Sequence, residues 1–438
     1  MYHPDGKNII ERLEEEKGID DMTFSKIIEV KMALCDYVPG NINRDIHGDG
    51  YKGLFNAYHI SPEVVIEEIN KSGLKTSGNG IPVWQSWEIF RKNTDPGKCI
   101  ICDAYENRES PALRAMLEYP HQIIEGMLIC ALASGACQGY IFVNSGSGEI
   151  LKKAVRQAVD HLKNDPYKKL KFNLNIIEAK SYAVFDEEPA KISAKINFSD
   201  SPFASPFPSL SGVNNHSVII HTAETWANIP VILQKGSAYF SSYGTENNKG
   251  TKIFSLNGSI KNNCAAEVPF GTPLNRLIED IGGGAAAGIK AVHIGGVQGG
   301  FLPPDKPDIQ LEHSVLMSKG CIIGTGDIVI LNEDTCIVDY VKKIAWSVQA
   351  SSCGECVICR EGTAQIAQII KDISEGRGKS EDTELMMEIC DGLRSSSFCR
   401  FGKNASNTVS TGIKYFEDEF RLHIKEKKCP ANVCKMNT

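Results

Sequence analysis

The segment Ser352-Cys353-Gly354-Glu355-Cys356-Val357-Ile358-Cys359-Arg360-Glu361-Gly362-Thr363 places three thiols at i, i+3 and i+6. A fourth, Cys399, follows with 39 residues intervening, in the run SSSFCRFG at 395–402. Three close thiols and one remote thiol are how a cubane iron–sulfur cluster is gripped: a tight loop wraps one side and a distant thiolate closes the cage. Four cysteines also suit structural zinc, but zinc sites favour paired CxxC knuckles over a CxxCxxC run. The spacing therefore predicts a [4Fe-4S] site. A helix starting near Thr363 would point its positive end at that anionic group.

Working outward, seven of the 15 cysteines fall between Cys353 and Cys434. The N-terminal run MYHPDGKNIIERLEEEKGID lacks the apolar core of a secretory signal, so disulfides are not expected and metal or catalytic roles come first. The net charge is −7, from 47 Lys+Arg against 54 Asp+Glu. That balance argues against nucleic acid or an anionic membrane as partner. The most apolar stretch, 126–137, is too short to span a bilayer, which predicts a cytoplasmic protein with no membrane insertion.

From Asp334 onward the pattern is helical, and this helical region holds the cysteine motif. Before it, 251–330 is rich in short strands and glycine. Earlier still, KCIICDA (98–104), IIEGMLICALASGA (123–136), GYIFVN (139–144), EILKKAVRQAVDHLKN (149–164) and FNLNIIEA (172–179) alternate strand with helix, an α/β pattern. SPEVVIEEINKSGL (61–74) has a serine cap, early acids and a terminal glycine, so it predicts a helix.

The cysteine motif and SFCRFG resemble the signatures of the NADH-binding flavoprotein subunit of respiratory complex I. The same subunit type occurs in soluble NAD-linked and electron-bifurcating hydrogenases, formate dehydrogenases and transhydrogenases. The resemblance runs over about residues 50 to 425, through GYKGLFNAYHISPEVVIEEINKSGL, EYPHQIIEGMLICALASGA, ETWANIPVI and GTKIFSLNG. It implies an N-terminal helical extension (1–40) and an α/β domain of the flavoprotein-subunit type (41–245). A β-grasp (SLBB-like) domain (246–333), a four-helix bundle carrying the [4Fe-4S] cluster (334–425) and a cysteine-containing tail (426–438) follow. It assigns Cys353, Cys356, Cys359 and Cys399 as cluster ligands.

The flavin-binding signature is altered. Where the family has a glycine-rich loop and a lysine for the FMN phosphate, this chain has KTSGNGIPVWQSW. Gly78, Gly80 and Pro82 remain, Ser86 stands for the lysine and Ile81 for a stacking phenylalanine. Glu106 and Glu187 persist in changed surroundings, with Asp186 in place of a glycine. His221-Thr222 replaces an Asn-Asn pair. In the NADH loop Pro206, Phe207 and Pro208 remain while Ala204 replaces a lysine. The changes share one sign, fewer groups for phosphate and for ring stacking, so an eroded FMN/NADH site is expected. Gly78, Gly80, Glu106, Glu187 and Phe207 are what remains of it. Trp84, Trp87 and Trp226 are candidates to fill the space of the flavin.

The tail HIKEKKCPANVC (423–434) resembles the CPAxxC segment of the bifurcating-hydrogenase branch. With Cys390 upstream, His423, Cys429 and Cys434 could make a zinc site clamping the tail to the helices; free thiols in a linker are the plainer reading. Cys35, Cys99, Cys102, Cys130, Cys137, Cys264, Cys321 and Cys336 read mostly as small core residues.

The leading expectation is an iron–sulfur electron-transfer subunit of a multi-subunit oxidoreductase. Its partners would be a thioredoxin-like [2Fe-2S] subunit and a catalytic or redox subunit. A second reading is an FMN-containing NAD(P)H dehydrogenase subunit with divergent flavin-binding residues, and a third is a docking subunit with a structural cluster.

Overall fold

The computed structural model describes residues 51–104, 119–144, 148–163, 167, 170–179, 217–302 and 308–436. The expected extension at 1–40 and Glu106, Asp186, Glu187, Ala204, Pro206, Phe207 and Pro208 lie outside them.

Helices α1 (Lys52–Tyr58), α2 (Pro62–Ser72) and α3 (Val83–Lys92) lead into the first sheet. Ser61 caps α2 by accepting the Val64 N–H, and Gly73 ends it in the left-handed region, as the sequence pattern requires. The sheet contains β1 (Cys99–Ala104), β2 (Gln138–Asn144), β3 (Asn173–Ala179) and β4 (Val218–Thr222), in the order β3-β2-β1-β4 and parallel throughout. Every residue of β1 is buried, which explains why CIICDA reads as a continuous rather than an alternating apolar run.

Between the strands run α4 (Pro120–Ser134), α5 (Gly148–Leu162) and, after β4, α6 (Ala223–Lys235). Helix α4 is buried on nearly all sides. It crosses α6 so closely that a Cβ on Gly126 would lie 2.0 Å from the Trp226 carbonyl oxygen.

A second, five-stranded sheet holds β5 (Thr251–Gly258), β6 (Cys264–Pro269), β7 (Ile289–Ile294), β8 (Gly300–Leu302) and β9 (Asp327–Asn332), ordered β6-β5-β9-β7-β8. Only the β5–β9 pair is parallel. This sheet is fastened to the first unit by a buried ion pair, Lys252 with Glu224, while the other Glu224 oxygen accepts the Ile253 N–H at 2.6 Å.

After β9 come α7 (Ile337–Ser351), α8 (Val357–Ser374), α9 (Asp382–Ser396), α10 (Arg400–Asn404), α11 (Asn407–Tyr415) and α12 (Glu417–Lys425). They share an apolar core built on Val341, Ile366, Ile370, Leu393 and Phe401. Polar contacts tie α11 to the second sheet: Thr411 Oγ1 accepts the Phe301 N–H at 2.9 Å, and Thr408 Oγ1 pairs with His293 Nε2 at 2.9 Å. Helix α8 begins at Val357, not near Thr363. Cys356 has extended backbone and stands at its N-cap, so Cys359 lies in the first helical turn. Among the described residues no helix is long and apolar enough to cross a membrane.

Candidate metal centres and the altered flavin loop

The four cysteines of the motif sit where the helical region opens its chain ends. Helix α7 stops at Ser351, Gly354 turns the chain with φ +82°, and Cys356 starts α8. The loop is held from both sides of Gly354. Its N–H donates to Ser352 Oγ at 3.3 Å, and its carbonyl accepts from Arg360 Nη1 at 2.7 Å. The first turn of α8 is braced by Thr363 Oγ1, which donates to the Cys359 carbonyl at 2.7 Å.

Cys399 takes the N-cap of α10, and Gly402 allows that segment to reach the motif. A Cβ on Gly402 would lie 2.6 Å from the Ser397 side chain and 3.5 Å from Cys359 Cβ. Cys356 and Cys359 are buried, Cys353 and Cys399 half-buried.

The donor set is of the type a [4Fe-4S] cluster takes: four thiols, an 18-residue helix beginning within it, and a buried Ser397 hydroxyl with no hydrogen-bond partner among the described residues. By contrast, burial pushes the thiols of Cys99, Cys321 and Cys390 up to about 12, as expected of inert core cysteines.

The tail makes a second group. Cys336, His423, Cys429 and Cys434 bring their ligand atoms within 4.8 Å of one another. Cys336 Sγ lies 3.4 Å from His423 Nε2 and 3.6 Å from Cys434 Sγ. His423 Nδ1 is 2.8 Å from the Glu419 carbonyl, which only an N–H can satisfy, so Nε2 is left as the ligand nitrogen. Two sulfurs accept backbone N–H groups: Cys336 from Asp339 and Cys429 from Cys434.

Cys390, the expected fourth ligand, is not in this group. Its buried Sγ faces the Ser406 carbonyl at 4.0 Å, in the packing of α9 against the α10–α11 turn. Cys336 takes its place. The available signal was its position: it is the N-cap of α7, a place where serine, threonine, aspartate or asparagine is the norm.

At the altered flavin loop, the backbone N–H groups of Thr76, Ser77, Gly80 and Ile81 are engaged within the protein. Those of Thr76 and Gly80 donate to the Ile81 and Thr76 carbonyls. Ser77 N–H donates to Thr225 Oγ1 at 3.0 Å and Ile81 N–H to Thr76 Oγ1 at 3.1 Å. Ser86 Oγ bonds back to the Val83 carbonyl.

The second sheet's side covers the loop, with the His313 ring 2.8 Å from where a Cβ on Gly80 would stand and the Gly324 carbonyl 3.3 Å from one on Gly78. His221 is buried beside Trp87 and Trp226: Trp87 Nε1 donates to His221 Nε2 at 3.2 Å, and the Trp226 ring packs against the imidazole at 57°, with centroids 4.8 Å apart. Trp84 is only partly buried. The N–H groups of Thr76, Ser77, Gly80 and Ile81 are thus not turned outward, as those of a phosphate cradle must be.

Two family descriptions match the chain: "Nuo51 FMN-binding domain" over residues 69–231 and "NADH-ubiquinone oxidoreductase-F iron-sulfur binding region" over 339–423. The NADP-reducing hydrogenase subunit HndC of Solidesulfovibrio fructosivorans is 31% identical over 425 residues, covering 94% of this chain and 86% of that protein. The F 2 subunit of NADH-quinone oxidoreductase from Rhizobium meliloti (strain 1021) is 28% identical, covering 87% of this chain and 94% of that one. In fold, the chain is similar to an NAD+-reducing [NiFe]-hydrogenase in the H2-reduced state. The TM-score is 0.77 at 22% identity, covering 91% of this chain and 67% of that chain. The chain belongs to the family of F-type subunits of NADH-quinone oxidoreductase, and it is a member of a multi-subunit oxidoreductase complex.

Proposed function

We propose that this subunit is an electron relay, carrying single electrons through one [4Fe-4S] cluster held by Cys353, Cys356, Cys359 and Cys399. The observation that carries the reading is the contrast between two sites. The cysteine loop is braced by hydrogen bonds on both sides of Gly354, which supports a held set of thiols, whereas four N–H groups of the glycine loop are bonded inward. When bound, the cluster supplies one-electron storage. The chain's own residues hold the thiols, exclude water from Cys356 and Cys359, and leave Cys353 and Cys399 near the surface where a redox partner can approach.

Without a flavin the chain cannot split a hydride into single electrons, so pyridine-nucleotide chemistry belongs to another subunit. The partners that suit this role are a thioredoxin-like [2Fe-2S] subunit and a catalytic or electron-accepting subunit, in a cytoplasmic hydrogenase, formate dehydrogenase or transhydrogenase. The tail group of Cys336, His423, Cys429 and Cys434 has the ligand types of a closed structural zinc site, fastening the C-terminus to the start of α7.

A second reading, an FMN-containing NAD(P)H dehydrogenase subunit, is favoured by the match of 69–231 to an FMN-binding domain. Metal and flavin analysis of the anaerobically purified chain separates the two. About four irons, one zinc and no flavin per chain is the expected result. Stoichiometric FMN would replace the relay reading with the dehydrogenase one.

A further inference from the structure

Two serine hydroxyls border the cysteine site. Ser352 follows α7, and its Oγ lies 3.5 Å from Cys359 Sγ while accepting the Gly354 N–H at 3.3 Å. A hydroxyl has one proton and two lone pairs; Gly354 occupies one lone pair, which leaves the proton free to point at sulfur. A metal-bound thiolate has no proton to return, which fixes the polarity: serine donates and sulfur accepts.

Ser397 is 4% exposed and its Oγ has no hydrogen-bond partner among the described residues. It stands two residues before Cys399. Its Oγ and Cys359 Cβ both border the space beside Gly402, at 2.6 and 3.5 Å from the position a Cβ there would occupy. A buried hydroxyl left unpaired is costly, about 1–3 kcal/mol, so its placement beside two ligands calls for an acceptor. Sulfur is the acceptor this site would supply.

We infer that Ser352 and Ser397 are positioning residues that donate hydrogen bonds to cluster and thiolate sulfur and thereby hold the reduction potential up. The inference rests on the [4Fe-4S] reading of the site. Adding an electron makes the sulfurs more negative, and a donor aimed at them stabilises the reduced form more than the oxidised one. Arg360 differs in role: its guanidinium bonds to the Gly354 carbonyl and to Glu361, so it shapes the loop.

The test is an EPR-monitored potentiometric titration, with iron content, of the anaerobically purified parent and the S352A, S397A and S352T variants. Each alanine variant should keep its iron and shift to lower potential. At a fixed poise the reduced-to-oxidised ratio should fall about fivefold. S352T, which keeps the hydroxyl, should return to the parental value. Alanine variants that keep their iron at the parental potential would overturn this inference and leave the relay reading standing. Iron lost from both alanine variants would also overturn it, by showing a structural role. A parent chain that holds no iron–sulfur cluster overturns both readings.

Discussion

Cys336 and Cys353 stand at opposite ends of one helix. Cys336 caps the N-terminus of α7, and Cys353 follows Ser352, its C-cap. Fifteen residues separate the caps, about 22 Å of helix at 1.5 Å per residue. The tail group and the cysteine loop are thus mechanically linked without being chemically adjacent.

That link gives the first prediction. C336S should lose zinc, while C390S should keep it, because Cys390 Sγ faces the Ser406 carbonyl rather than the tail. Iron content of C336S should remain near the parental value at first and decay faster on heating, as the freed N-terminus of α7 loosens the loop at its other end. Zinc and iron analysis of the two variants checks this. Zinc lost from C390S and retained by C336S would restore the ligand set expected from sequence.

The iron ligands are separable by the same logic. C399S should lose most of the cluster absorbance, since a thiolate closing the cage cannot be replaced by a weaker oxygen donor without cost. C321S, at a buried cysteine whose Sγ contacts only the Phe301 carbonyl among described hydrogen bonds, should leave absorbance unchanged and cost modest stability. Equal cluster content in C399S and its parent would remove Cys399 from the site.

The proposed cluster ligands are readable from sequence because their spacing is local and chemical: three thiols three residues apart need no knowledge of packing. The Cys/His group of the tail was only partly legible. His423, Cys429 and Cys434 lie close in sequence, but Cys336 comes from 87 residues before His423. Only the tertiary course of α7 and α12 selects it over Cys390. The altered glycine loop shows the limit in another form. The sequence indicates a loop that has lost groups for phosphate while keeping Gly78 and Gly80. Whether its N–H groups turn outward depends on Thr76 and Thr225, whose hydroxyls accept two of them, and on His313, which arrives from the second sheet's domain.

Gly80 makes that last contact testable. It has φ +69°, and a Cβ there would meet the His313 ring at 2.8 Å. Gly135 has φ +76° with nothing within 4 Å, so it isolates the backbone effect. G135A should cost about 1 kcal/mol from left-handed strain alone. G80A should cost about 1–3 kcal/mol more through the clash. Thermal unfolding of both variants measures the difference. Equal destabilisation would mean that the second sheet's domain does not press on the glycine loop in solution.

Three buried histidines predict the acid response. Burial, the main cause at each, lowers His221, His293 and His313 to about 3; at His313 the nearby Lys75 and Lys252 add to the effect and Glu312 opposes it. Their ordinary value is near 6.5. The folded protein therefore keeps them neutral while the unfolded chain takes up protons below about pH 6.5. Stability from these groups is fully present above that value and is lost as pH falls toward 3, by at most about 1.4 kcal/mol per pH unit for each. His293 is the cleanest to remove, because its nitrogens face only the hydroxyls of Thr408 and Tyr340. Glutamine can donate to one and accept from the other. H293Q should be about 1 kcal/mol less stable than the parent at pH 7.5. Its stability should fall less steeply between pH 6.5 and 5, so that the two urea-unfolding curves converge on acidification. Parallel pH profiles would show instead that His293 carries its proton in the folded protein.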